Sequence, residues 1–143
     1  MKTFIILLAA FISMQMVFAQ SSDFSADKKS ATVENLTVAI KSDNTGLHTS
    51  GAIVLSDLIK ESYIESSDAS NTMIPLLKML KNGKTDEERI AAAVALYQLQ
   101  DPVAIYQLRG VAVSDDNEKV ASVCRNLYYS YHKLHGTEYL ATF

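Results

Sequence analysis

The sequence predicts an all-α protein, a short α-α solenoid of about three helical hairpins. Apolar residues recur at helical spacing in six segments, and no stretch alternates with the two-residue period of a half-buried strand. Short polar breaks separate the segments and group them as pairs: 32–42 with 46–63, 72–82 with 85–99, and 102–113 with 116–134. The pairs also resemble one another. Ser50-Gly51-Ala52-Ile53-Val54-Leu55 with Leu58 matches Ala91-Ala92-Ala93-Val94-Ala95-Leu96 with Leu99 at an offset of 41. Glu118-Lys119-Val120-Ala121 echoes Glu88-Arg89-Ile90-Ala91 at an offset of 30. Repetition at such periods, one hairpin per copy, is the signature of a stacked array.

Residues 1–19 read as a secretory signal. Met1-Lys2 is a short cationic start, the run from Phe4 to Ile12 is apolar, and Val17-Phe18-Ala19 satisfies the small-x-small cleavage rule. Cleavage after Ala19 leaves Gln20 as the mature N-terminus and no stable membrane span. The competing reading, an uncleaved anchor, meets a run interrupted by Ser13 and Gln15 with no cation following at once. Export to a periplasm or the extracellular space is therefore expected. Residues 20–31 are polar and Ser-rich and read as a flexible leader. A repeat domain over 32–135 and a tail over 136–143 follow.

Within the domain, Leu36, Ala39 and Ile40 give a short apolar face before Asp43-Asn44-Thr45-Gly46. Leu47, Gly51, Val54, Leu55 and Leu58 give the next, and Ile74, Leu77 and Leu80 a third, with Asn82-Gly83 as its exit. Thr85-x-x-Glu88 is a capping box ahead of Ile90, Ala93, Val94 and Tyr97. Asp101-Pro102 starts the following helix, whose inward residues are Ile105, Leu108 and Ala112. The last helix follows Asp115-Asp116, carries the stripe Val120, Val123, Cys124, Leu127, Tyr128 and Tyr131, and stops at Gly136.

Ile74-Pro75-Leu76-Leu77 with Glu88-Arg89-Ile90-Ala91-Ala92-Ala93-Val94-Ala95-Leu96 and the Asp101-Pro102 connection resembles a HEAT repeat of the short bacterial, PBS-lyase-like kind. The resemblance covers residues 32–134 and is weakest in the first copy, at Thr49 and Gly51. It implies a small exported HEAT-like protein acting as a protein-binding scaffold, without catalysis or cofactor. Second helices of the repeats would present the partner face, through Arg89, Gln98, Arg125 and Tyr129.

Other chemistries find thin support. The formal net charge of −3 argues against a nucleic-acid partner, which requires clustered cations. Gly83-Lys84-Thr85 is no phosphate loop, because position 78 is Lys where that motif has Gly, and a helix precedes it. His132-x-x-His135 is the one candidate metal pair and the basis of an alternative metal-binding or enzymatic reading; no third ligand is evident, so no metal is expected. Cys124 is the single cysteine and sits on the apolar stripe, as a buried thiol does, with a reactive thiol as the sharper alternative. Self-association is a third reading, with Leu140 and Phe143 making the C-terminal end adhesive.

Overall fold

In the computed structural model, described over residues 25–137, six α-helices and one short 3-10 turn form three hairpins. They are α1 (Ala26–Ile40), α2 (Thr45–Lys60), α3 (Met73–Asn82), α4 (Asp86–Gln98), α5 (Pro102–Ser114) and α6 (Glu118–His135), with the 3-10 turn at Ser70–Thr72. Residues 1–24, where the signal and most of the leader are expected, and residues from Glu138 onward, with Leu140 and Phe143, lie outside the described residues.

Each hairpin packs on itself, α1 on α2, α3 on α4 and α5 on α6. The second helices form a tight inner row in the order α2, α4, α6. The first helices α1, α3 and α5 touch one another only sparingly. Helix α4 therefore has neighbours on three sides, and its composition suits that place. Ala91, Ala92, Ala93, Ala95 and Leu96 are all buried, so alanine lets adjacent backbones come close while Leu96 fills the seam. Of the stripe expected from Ile90, Ala93, Val94 and Tyr97, Ala93 is buried and the other three are half-buried, because the open side of α4 falls there.

The helix starts follow local chemistry. The side chain of Asn44 accepts from the Leu47 amide, that of Thr85 from the Glu88 amide, and that of Asn117 from the Lys119 and Val120 amides. Asp101 caps the Val103 and Ala104 amides at 2.7 and 3.2 Å, with Pro102 in the first turn. These three caps align the second helices. Asn44 and Thr85 stand 41 positions apart, as the first sequence match requires, but Thr85 and Asn117 stand 32 apart, which corrects the offset of 30. The last cap is Asn117, one residue beyond Asp115-Asp116.

Three further expectations change. Helix α1 begins at Ala26, inside the stretch read as leader, because Val33, Thr37 and Ile40 dock its last turns and the polar first turns extend from them. Helix α2 ends at Lys60, short of 63, as Ser62 adopts a left-handed φ of 61°. The following connection turns inward and buries Ile64, Ala69 and Thr72, with the Thr72 hydroxyl donating to the Ala69 carbonyl at 2.7 Å. Of the residues expected inward, Ile74 is exposed, Leu77 is half-buried and Leu80 is buried, and α3 also buries Pro75, Leu76 and Met79.

Serine at a left-handed position after a helix carries a Cβ penalty that glycine lacks. Ser62→Gly is expected to raise stability by about 0.5–1 kcal/mol, read as a higher thermal midpoint; a lower midpoint would show that Ser62 makes a compensating contact. At the far end Gly136, with φ 60°, closes α6 as expected, and the Thr137 amide donates to the His132 carbonyl at 3.1 Å.

Candidate functional site

Polar side chains gather at one end of the array, where the turns within each hairpin lie. The fourth residue of α2 is His48 and that of α4 is Arg89, and both tie their own hairpin to the next. His48 Nδ1 lies 3.1 Å from the Ser42 carbonyl, which only accepts, so Nδ1 carries the proton. Its Nε2 faces Glu88 Oε1 across 3.5 Å, an ion pair whenever the imidazole is protonated. Arg89 Nε donates to the Leu80 carbonyl at 2.8 Å, and its two terminal nitrogens grip Asp115 in a fork. Asn117 Nδ2 donates to Asp86 Oδ1 at 2.6 Å across the same second junction.

Glu88 is the buried member, 1% exposed. One carboxylate oxygen, Oε2, accepts from the amides of Lys84 and Thr85, the latter at 3.3 Å, completing the capping box. Burial alone would raise its pKa. The Thr45 side chain, those two amides and the His48 charge outweigh burial and hold the carboxyl below its ordinary value. Asp115 is also held down, first by its hydrogen bond from Arg89, against burial, and further by the Asn117 amide. Room for this turn depends on Gly83: a Cβ there would stand 2.7 Å from the Met79 carbonyl oxygen and 2.8 Å from Arg89 Cγ.

A groove of about 430 Å³ opens above Glu88 between the α1–α2 turn and α3, with Ser42, His48, Lys78, Asn82 and Lys84 on its walls. Glu88 and His48 face each other at its base, and the lysines lie at the surface. This arrangement joins two repeats, as Arg89 and Asp115 do at the next junction.

The expected site residues lie on two of the second helices, Arg89 and Gln98 on α4 and Arg125 and Tyr129 one turn apart on α6. Arg89 is half-buried and taken up by Asp115 and Leu80. Arg125 is half-exposed, donates to the Ala112 carbonyl at 3.3 Å and lies 3.6 Å from Glu118. Tyr129 packs partly against the core beside Tyr128, and Gln98 is half-buried. All four keep part of their surface, and the two arginines also bond to carbonyls of neighbouring helices. His132 and His135 do not converge: His132 Nδ1 meets Thr137 Oγ1 at 2.6 Å, and His135 Nε2 meets Gln100 Oε1 at 2.9 Å. Among the described residues no group of three His, Cys, Asp or Glu could hold a metal ion. Cys124 is buried, and burial, helped by Asp115 and opposed by Arg89, pushes its thiol up to about 12, so it stays protonated and packs as a small hydrophobe.

The feature that sequence reasoning missed is on α2. Counted from the caps, the third residue of the second helices is Leu47, Glu88 or Val120, and the tenth is Val54, Ala95 or Leu127. In α4 and α6 these positions are covered: Glu88, Val120 and Ala95 are buried, and Leu127 packs on the core. In α2 the same positions are open, with Leu47 51% and Val54 45% exposed. The periodicity that marked them as inward was right for a repeat. No second helix precedes α2 among the described residues to cover them.

The opposite end is finished differently. At the eighth position Ala52 and Ala93 are buried, whereas α6 carries Arg125, a charged residue folded back at the surface. The α6 end thus carries a charge at a position where α2 and α4 bury alanine. Comparison with known proteins returns no matching family model, no matching curated protein and no matching solved structure.

Proposed function

We propose that this chain is a non-catalytic, exported helical-repeat protein of the HEAT-like kind that binds a protein partner. The partner adds a helix to the open end of the stack, lying against Leu47 and Val54 as α2 lies against α4. The observation behind this reading is the pair of seam positions on α2, half-exposed in the first copy and covered in the two later copies. An array needs polar outer faces at its ends, and this end has apolar residues instead. Export rests on residues 1–19, and a mature chain beginning at Gln20, read by terminal mass spectrometry, tests that part.

The test of the docking end is Leu47→Glu with Val54→Glu. Both side chains are substantially exposed, so the thermal midpoint should hold within the scatter of surface substitutions, about 0.5 kcal/mol. A photo-crosslinker at position 54, in the envelope fraction of the source organism, should yield one saturable partner that the double variant loses. Equal crosslinking by the double variant, or from a control position such as Lys119, would overturn the choice of face. No helix among the described residues is long and apolar enough to cross a membrane.

A further inference from the structure

A second surface, independent of the α2 end, lies on α5. Val103, Tyr106 and Val113 are 55%, 63% and 56% exposed, and Gly110 stands between the last two on the same face. Their spacing of three, four and three residues is the seam of a coiled coil, about three turns of apolar surface with no helix against it among the described residues. The remaining exposed positions of this face include Gln107 and Ser114 and are also uncharged. Every other helix of the array exposes at least one charged side chain, such as Glu34, Asp57, Lys78, Glu87 or Lys119. The single charge of α5, Arg109, is half-buried.

We propose that this face is the interface of a closed two-fold dimer, α5 against α5 of a second copy, antiparallel and centred on Leu108. The stripe is its own complement in that register. Tyr106 falls opposite Gly110 of the second copy and Val103 opposite Val113, so each large residue meets a small or medium one, twice over by symmetry. At Gly110 an added Cβ would find no atom within 4 Å. The glycine borders a groove of about 430 Å³ between α3 and α5, with Leu77, Leu80 and Val111 among its lining residues. The incoming Tyr106 ring covers those apolar side chains, while Lys81 and Asp115 on the rim can engage its hydroxyl.

Charge selects the same occupant. The chain carries a net charge of −3 and repels its own copy at long range, so self-contact is least opposed where no charge is presented. A charged partner finds nothing to pair with on this face. Glycine inside an exposed helix weakens that helix relative to alanine; close approach of a second backbone accounts for its presence.

Sedimentation equilibrium of the purified protein from micromolar concentrations upward should show a monomer–dimer equilibrium. Gly110→Leu should weaken association roughly tenfold or more, with an unchanged or higher thermal midpoint, because leucine favours the helix and meets open space. Register is read separately. Val103→Cys chains mixed with Val113→Cys chains should form an intermolecular disulfide under mild oxidation, and Val103→Cys chains alone should not, with Cys124 buried in both. A strict monomer at every concentration overturns the proposal. So does a dimer indifferent to Gly110→Leu, or one abolished by Leu47→Glu instead, which would place the contact at the α2 end.

Discussion

Leu96→Ala should lower the unfolding free energy by about 3–5 kcal/mol, the upper part of the range for leucine truncation in a core. Leu96 is fully buried in α4, the helix with α2 and α6 on its flanks and α3 behind. The buried positions beside it on α4, Ala92, Ala93 and Ala95, carry short side chains that cannot swing into the space left behind. The cavity term therefore stays close to its full value, where a flexible surround would relax. In a domain with about 5–15 kcal/mol of total stability, this one change removes a large share of it. The same crowding sets the reverse experiment: Ala93→Leu should overpack the seam and cost about 1–3 kcal/mol. Urea titration reads both, as a lower midpoint with an unchanged slope. A loss below about 1 kcal/mol for Leu96→Ala would mean that the inner row collapses to fill the gap.

Glu88→Ala should cost about 2–4 kcal/mol at neutral pH, combining a lost cap with two amides left without their acceptor. Glu88 is the acid of the capping box, the acceptor for the Lys84 and Thr85 amides and the partner of His48, so one truncation loosens a turn and a repeat junction together. Its acid dependence follows from sign. Glu88 and Asp115 both have folded pKa values below their ordinary ones. Their contribution is complete above the ordinary carboxylate range and is lost as pH falls below that range, through the folded values. The protein should therefore lose stability on acidification, and Glu88→Gln with Asp115→Asn should flatten that limb. An acid limb as steep in the double variant as in the wild type would assign the loss to other carboxylates.

How much could be read from the sequence differs by feature. Helix starts were legible because their chemistry is local: Thr85 with Glu88, and Asp101 with Pro102, act within one turn of chain. The six-helix pairing was legible for the same reason, since an amphipathic stripe and a polar break are contained in each segment. Exposure was not, where it depends on a neighbouring copy. Leu47 and Val54 have the pattern of a seam and are open because no second helix precedes α2 among the described residues. Glu88 was recognised as a cap, but its burial and its pairing with His48 arise from two hairpins 41 positions apart. Spacing alone reads Arg89 and Arg125 as surface residues, and their bonds to the Leu80 and Ala112 carbonyls of neighbouring helices leave no local mark. Ser62 shows the same limit, since a left-handed stop without glycine leaves no local mark.

The unequal packing of the two helix rows has a mechanical consequence. The inner row of α2, α4 and α6 is tightly joined, while α1, α3 and α5 scarcely touch one another. Such a body behaves like a hand fan: its ribs are pinned along one margin and separate along the other. Splaying the ribs stretches few attractive contacts, whereas shearing the pinned margin opposes the alanine seam and both cross-repeat clasps. Compliance is therefore directional, soft for opening and closing the outer clefts and stiff for sliding one hairpin past the next.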